Sequence, residues 1–247
     1  MKLADFFAEN PEVALGFSGG VDSAYLLYAV CQCGAKVHAY YVHTPFQPQF
    51  ELDDAQRLAQ QLQIDLQVLP FDVLLCEEVR QNPKDRCYYC KTALFGLLQR
   101  QAAQDGAPVL IDGTNASDQV DDRPGMRALK ELSVRSPLRE CGLTKAEIRR
   151  LSQQAGLFTW DKPAYACLAT RIPSGQPITA DLLRRVEGAE SCLFQLGFRD
   201  FRARVKDNAA VLQIKPAQFA DAMRKRTQIL NGLAPFFDRV LLDMKPR

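Results

Sequence analysis

The chain has 247 residues, 47% of them hydrophobic and 24% charged, with a formal net charge of +2. That length can bury the core of one or two domains, and the composition excludes disorder as a description of the whole chain. No uncharged apolar run approaches the ~20 residues of a membrane span, and the small charge lacks the strongly basic footprint of a nucleic-acid binder. Residues 199–206 are a local basic stretch.

Residues 1–11 carry acids and no apolar stretch of signal-peptide length, so the expected location is cytoplasmic. The eight cysteines do not read as a disulfide framework in a chain of this length without an export signal.

Strand and helix signals alternate through the first half. Residues 13–17 are a short apolar run ending at a glycine-rich turn, and residues 22–33 carry Ala24, Leu26, Leu27 and Val30 at helical spacing. A second strand is predicted over 36–42 and a helix over 52–62, with Ala55, Leu58, Ala59 and Leu62 on one face. A third strand follows over 66–69, a long helix over 88–103 and a fourth strand over 109–111. The alternation predicts an α/β fold: a parallel sheet with helices on both faces. Residues 144–155 read as a helix opened by a capping box of Thr144 and Glu147 and stopped by Gly156.

After about Asp161 the pattern changes. Pro163, Pro173, Gly175 and Pro177 punctuate a linker. A helix over 179–196, strands over 201–205 and 211–214, a helix over 216–230 and a strand over 240–242 then make a smaller α+β unit. The expected domains are 1–160, carrying the nucleotide site, and 161–247, for substrate binding and oligomerisation. The sequence has no internal repeat and no low-complexity tract.

The most informative segment is Ser18-Gly19-Gly20-Val21-Asp22-Ser23, between the first strand and its helix. Glycines let the backbone aim several N–H groups at one point, the helix N-terminus adds partial positive charge, and two serines add hydroxyls. This is an anion site suited to phosphates. It lacks the lysine of a Walker A loop and is not G-x-G-x-x-G. An ordinary glycine turn capping a helix is the plainer alternative. A second loop, residues 112–118, follows the fourth strand, and ligands of open parallel sheets bind beyond the strands' carboxyl ends. Asp118, Asp121 and Asp122 could hold Mg²⁺ through water, or the loop could be a polar turn rich in Asx residues.

Cys87 and Cys90 form a Cys-x-x-Cys at the start of a predicted helix, flanked by Arg86 and Lys91. That setting favours thiolates, and a redox pair, half a zinc site and part of an iron–sulfur site all stay open. A second Cys-x-x-Cys is absent, and His38 and His43 lack ligand spacing, with His43 read as a polar loop residue. Cys167 sits at the expected domain junction. Three thiolates can hold a [4Fe–4S] cluster whose fourth iron carries an extra sulfide, or Cys167 can simply be packed. Cys31, Cys33, Cys76, Cys141 and Cys192 are assigned to packing.

The Ser-Gly-Gly-x-Asp-Ser pattern resembles that of the PP-loop ATP pyrophosphatases, whose adenine nucleotide alpha hydrolase-like fold holds the pyrophosphate of ATP. The chain further resembles the LarE family of ATP-dependent sulfur transferases of nickel-pincer nucleotide synthesis. Residues 16–23, 82–91, 112–118, 122–125, 136–138, 143–145, 160–163 and 166–173 carry that resemblance. The run over 160–173 is the most specific of these stretches.

The resemblance implies that ATP adenylates a carboxylate of a pyridinium dicarboxylate mononucleotide, and that sulfur then replaces AMP to give a thiocarboxylate. It implies ATP and Mg²⁺ on Gly16, Phe17, Ser18, Gly19, Gly20, Val21, Asp22, Ser23, Gly113, Thr114, Asn115, Asp118 and Arg123. It places the substrate on Arg171, Arg202 and Arg204, with Glu190 as an acid near the sulfur donor. Arg202 and Arg204, at i and i+2, would share one face of a strand and suit a phosphate, although a solvated strand face would look the same.

Some family members sacrifice the sulfur of the cysteine matching Cys167. Members with all three cysteines are read as using a [4Fe–4S] cluster, and Cys87, Cys90 and Cys167 put this chain with them. A sulfide or other sulfur donor and a homo-oligomer are the further partners implied. Two departures bear on the substrate: Val205-Lys206-Asp207 where the family has a histidine, and Gln213 in place of a glutamate. The alternatives are a tRNA thiolase of the PP-loop class, sacrifice of Cys167, an ammonia-using ligase and a nucleotide-binding regulator. The small net charge argues against the thiolase.

Overall fold

A computed structural model describes residues 2–118 and 124–245. In chain order the elements are α1 (Leu3–Glu9), β1 (Glu12–Gly16), α2 (Val21–Gln32), β2 (Lys36–His43), α3 (Gln49–Gln61), β3 (Leu66–Pro70), α4 (Glu77–Arg80), α5 (Arg86–Gln104), β4 (Leu110–Ile111), α6 (Pro124–Glu131), α7 (Pro137–Glu140) and α8 (Lys145–Gln154). Then come α9 (Ala180–Gln195), β5 (Arg202–Lys206), β6 (Ala209–Gln213), α10 (Phe219–Arg224), α11 (Arg226–Leu233) and β7 (Arg239–Leu242). Short 3₁₀ turns cover Val73–Leu75, Leu168–Arg171 and Pro216–Gln218. The chain divides into two compact units: Met1–Cys76 with Asp85–Lys162, and Glu77–Lys84 with Pro163–Arg247.

The first unit is the expected α/β layer structure. Its sheet runs β3-β2-β1-β4, and every pairing is parallel. Successive side chains of β1 point to opposite faces. Val13 and Leu15 join Ala39, Tyr41, Leu26, Leu27, Leu58 and Ile148 in one apolar cluster, which takes residues from α2, α3 and α8. Ala14 and Tyr40 join Leu98 and Ala102 of α5 in the other. Both faces are therefore covered, which is why β1 reads as a continuous apolar run and not an alternating one. A fully buried Leu in such a core contributes about 1.5–3 kcal/mol. The edge strand β4 has two residues and is continued by a parallel bridge between Ile111 and Arg135.

The second unit builds a three-stranded sheet, β5-β6-β7. β5 and β6 pair antiparallel from Arg202 opposite Gln213, and β7 adds parallel to β6. α9 packs on β5, and α11 packs on α9. A Cβ on Gly188 of α9 would lie 2.4 Å from the Phe236 ring, so only glycine fits there. Glu77–Lys84 belongs to this unit because Asn82, buried and at φ 55°, stitches it in. Its side-chain amide donates to the Pro173 carbonyl (2.8 Å) and the Gln176 carbonyl (3.1 Å), and its own carbonyl accepts from Gly175 N (2.8 Å).

Several expectations need correction. The helix expected over 216–230 is broken: Lys225 leaves the helical region (φ −91°, ψ 11°) between α10 and α11, and its ammonium sits 5.6 Å from the centre of the Phe198 ring while donating to the Leu196 carbonyl. His43 is not a loop residue but closes β2, opposite Pro70. Of the five cysteines assigned to packing, only Cys33 is exposed; Cys31, Cys76, Cys141 and Cys192 are partly buried, and Cys141 packs against the apolar cluster of the first unit. Cys33, Cys76 and Cys141 stand at C-caps, where the chain turns out of an element. The four-residue helices α4 and α7 are too short to show a periodic face.

Candidate functional site

The glycine loop leads from β1 into α2. Gly20 is the N-cap (φ −78°, ψ 163°), and Gly19 sits at φ 71°, where a side chain is strained. A Cβ on Gly19 would also come within 3.1 Å of the Glu51 carbonyl oxygen. The two serines close the loop on itself: Ser23 Oγ accepts from Ser18 N (3.3 Å) and donates to the Gly20 carbonyl (3.2 Å), with Ser18 Oγ 3.1 Å away. The first turn of α2 thus presents its unpaired N–H end at a glycine-lined turn, the geometry that holds a phosphate.

The second loop lies beside it, as expected. A Cβ on Gly113 would fall 2.9 Å from Ser23 N, so the loop backbone rests directly on the first turn of α2. Asp112 folds the loop: Oδ1 accepts from Thr114 N (3.2 Å) and Ser136 Oγ (2.7 Å), and Oδ2 from Thr114 Oγ1. Asn115 Oδ1 accepts from Ser117 N (2.8 Å), and Asp118 Oδ2 accepts from Asn115 N (3.0 Å). Thr114 and Asn115 are buried. Arg123, Asp121 and Asp122 lie outside the described residues.

Asp22 is the charged centre of this cradle. Lys145 Nζ donates to its Oδ2 at 2.6 Å, while its Oδ1 is buried with no hydrogen-bond partner among the described residues. Burial pushes the Asp22 carboxyl up, Lys145 pulls it down, and the nearby Asp118 charge pushes the same way as burial. A buried carboxylate oxygen left without a donor beside a phosphate-type loop suits a bound cation or its water. Lys162 reaches the same loop from the end of the unit, 3.5 Å from the Gly19 carbonyl and paired with Glu51 (3.2 Å) and Asp54 (2.7 Å). Arg149 of α8 holds the chain around it through the Trp160 carbonyl (2.6 Å) and the Lys162 carbonyl (2.8 Å). Sequence reasoning missed Lys145, Arg149 and Lys162 as parts of this site. The signal for Lys145 and Lys162 was the family-like runs over 143–145 and 160–163, which no spacing rule connects to the glycines, and Arg149 lies in neither run.

Cys87 and Cys90 lie at the start of α5, its second and fifth residues, on neighbouring positions of one helix face. Cys87 is exposed and Cys90 half-buried, with Arg86 Nη2 3.9 Å from Cys87 Sγ. Cys167 belongs to the other unit and is the N-cap of the 3₁₀ turn Leu168–Arg171. Within either unit, no group of three His, Cys, Asp or Glu residues is gathered for a metal among the described residues.

In the second unit, Arg171 and Glu190 are a buried ion pair, with Arg171 Nε 2.8 Å from Glu190 Oε1. Burial alone would lower Arg171, but Glu190 outweighs it, and the guanidinium stays charged. Arg202 and Arg204 point to one face of β5, opposite Ala203 and Val205, but differ in exposure: Arg202 is buried and Arg204 exposed. Arg202 donates to the Phe201 carbonyl (2.7 Å) and the Ala164 carbonyl (3.0 Å). Arg204 donates to Gln213 Oε1 (2.6 Å) and the Thr170 carbonyl (2.8 Å).

Residues 8–193 match the family described as thiamine biosynthesis protein (ThiI). The chain is 39% identical over 220 residues to an uncharacterized protein of Synechocystis sp., covering 88% of this chain and 81% of that relative. It is 32% identical over 235 residues to the pyridinium-3,5-bisthiocarboxylic acid mononucleotide synthase of Lactiplantibacillus plantarum, covering 94% of this chain and 85% of that relative. A probable tRNA sulfurtransferase of Methanobrevibacter smithii is 26% identical over 164 residues, 61% of this chain and 42% of that relative.

Proposed function

Since this chain belongs to the ThiI-like family of PP-loop ATP pyrophosphatases and is a distant relative of LarE, we propose that it uses ATP to adenylate a carboxylate of a pyridinium dicarboxylate mononucleotide and replaces the AMP by sulfur. The cradle of Gly19, Gly20 and Gly113, with an Asp22 oxygen that has no hydrogen-bond partner among the described residues, carries the reading. The pyrophosphate end of ATP rests on the N-terminus of α2 and the serine hydroxyls. Asp22, held by Lys145, takes the Mg²⁺ or one of its waters. A substrate carboxylate oxygen attacks the α-phosphorus, and pyrophosphate leaves with the bond electrons. The resulting acyl-adenylate has AMP as its leaving group. Attack by a sulfur nucleophile on the acyl carbon expels AMP, which keeps the former carboxylate oxygen. Arg204, the exposed arginine of β5, is assigned to the substrate phosphate together with Arg202.

Cys167 is assigned to sulfur delivery, with Cys87 and Cys90. The two cysteines at the start of α5 share a helix face and reach solvent, which fits thiolate ligands of a [4Fe–4S] cluster. Such a cluster, when bound, supplies an iron without a cysteine ligand that can carry a sulfide. Protein purified without oxygen should hold about four irons and four acid-labile sulfides per chain, lost in a Cys87→Ala/Cys90→Ala/Cys167→Ala variant. Protein that stays iron-free after anaerobic reconstitution would overturn the cluster. It would leave Cys167 as a sacrificial donor, whose loss of H₂S on turnover mass spectrometry detects.

A further inference from the structure

Glu190 has its whole hydrogen-bonding capacity engaged. Its Oε1 accepts from Arg171 Nε (2.8 Å) and Ala203 N (2.9 Å), and its Oε2 accepts from Arg171 Nη2 (2.9 Å) and the Tyr165 hydroxyl. A carboxylate offers about four lone-pair sites, and these four donors take them. An acid that relays protons at a reacting sulfur needs a site open to the proton it moves. Glu190 is instead buried, at 1% exposure, inside a closed set of donors.

The other end of that set lies on the cysteine. Arg171 Nη1 donates to the Ala166 carbonyl (2.7 Å) and the Cys167 carbonyl (3.3 Å). The Cys167 carbonyl also accepts from Thr170 N (3.0 Å) and Thr170 Oγ1 (2.9 Å). Tyr165, whose hydroxyl is on Glu190, sets its ring 4.5 Å from the Arg171 guanidinium carbon and 5.3 Å from that of Arg202. Burial and the Glu190 charge push its phenol up, so the hydroxyl stays a donor. The segment is thus held at the Ala164, Ala166, Cys167 and Thr170 carbonyls by Arg202, Arg171 and Arg204.

We propose that Glu190 anchors a clamp and is not a proton carrier, and that Arg171 and Tyr165 are positioning residues through which it fixes the Cys167 backbone and so the direction of the thiol. The proposal deepens the reading of Cys167 as the sulfur-delivering cysteine and rests on it for its effect on turnover. Its effect on the cysteine itself is readable without any activity.

The test is the rate at which iodoacetamide alkylates Cys167 in the full chain, followed by peptide mass spectrometry, beside ATP-dependent turnover and its pH profile. Tyr165→Phe keeps the ring and removes one hydrogen bond to the carboxylate. It should raise the Cys167 rate about tenfold, equivalent to about 1.4 kcal/mol. Glu190→Gln and Arg171→Lys should raise it at least as much, while exposed Cys33 of the other unit reacts as before. Turnover should fall in all three with KM for ATP and the shape of the pH profile unchanged. The Tyr165→Phe/Glu190→Gln double variant should be no worse than Glu190→Gln alone, because both act through one network. The clamp is overturned if Cys167 alkylation in Tyr165→Phe and Glu190→Gln equals that of the parent, or if Glu190→Gln alone erases one limb of the pH profile. Turnover that survives Cys167→Ala would overturn the role of the cysteine instead, and the alkylation rates would still decide the clamp.

Discussion

The glycine loop of the first unit and the Cys167 segment of the second are both polar, and they are built in opposite ways. The loop keeps a carboxylate oxygen of Asp22 buried without a donor among the described residues, and the backbone N–H end of α2 faces a glycine-lined turn. The Cys167 segment gives Glu190 four donors and Arg171 a partner at each nitrogen. A surface that takes a ligand must leave polar groups for that ligand, and it tolerates their cost. A surface that aims a side chain must hold its backbone from every side. The first region has the open polar groups that the proposed nucleotide site needs, and the second has the closed network that the proposed clamp needs.

This contrast predicts where mutations hurt most. Glu190→Ala should be the most damaging single change to stability, because it leaves the buried Arg171 charge unpaired. A loss of about 3–5 kcal/mol is expected, read by denaturant unfolding of the full chain. A loss under about 1 kcal/mol, the size typical of an exposed pair, would mean that the network is not closed. Gly113→Ala should come next. Its methyl would meet the backbone of Ser23 at 2.9 Å, and backbone cannot swing aside. About 1–3 kcal/mol of stability should be lost, and calorimetry should find ATP binding weakened or gone. Undiminished ATP affinity would separate the second loop from the nucleotide site.

The two carboxylates Asp22 and Glu140 sharpen the comparison through pH. Burial raises Asp22, so its contribution to stability is fully present below its unfolded value and is lost as pH rises through the folded one. The Arg135 bond lowers Glu140, so its contribution is present above the unfolded value and is lost as pH falls through the folded one. Asp22→Asn should therefore flatten the decline of stability on going from acid toward neutral pH while removing ATP turnover. Glu140→Gln should instead flatten the loss of stability on acidification. Stability scans of both variants against the parent check the two signs. The smallest effect belongs to the helix that carries Lys145 and Arg149. Thr144→Ala removes the side chain that accepts from Glu147 N at 3.3 Å, and α8 should lose about 1 kcal/mol, visible as faster amide exchange in its first turn.

The loop was legible in the sequence and the clamp was not, for a physical reason. Ser18 to Ser23 are neighbours in the chain, so a strand, two glycines and a helix start declare their geometry locally. The cap of α8 was read for the same reason, since Thr144 and Glu147 close a box across three positions of the chain. The bonds that back the Cys167 segment join Arg171 to Glu190, Arg202 to Ala164 and Tyr165 to Glu190, contacts between distant positions that no periodicity encodes. The resemblance supplied Glu190 and Arg171 without the ion pair between them, and Arg202 and Arg204 on one strand face without the carbonyls they hold. The placing of Glu77–Lys84 with the second unit was equally hidden, because it depends on bonds to residues about ninety positions later, from the buried Asn82 side chain to the Pro173 and Gln176 carbonyls and from Gly175 N and Ile178 N to the Asn82 and Arg80 carbonyls. The break at Lys225 was missed because its ammonium goes to the Leu196 carbonyl and the Phe198 ring, which the apolar periodicity of 216–230 does not register.

The most direct test of the whole account is a single-turnover reaction of the anaerobic protein with ATP, Mg²⁺, sulfide and a pyridinium dicarboxylate mononucleotide, followed by mass spectrometry of the small molecules. The account predicts pyrophosphate and AMP in equal amounts, formed only when the mononucleotide is present, and a product in which one carboxylate oxygen has been replaced by sulfur. Pyrophosphate release that ignores the mononucleotide, or ADP in place of AMP, would contradict it.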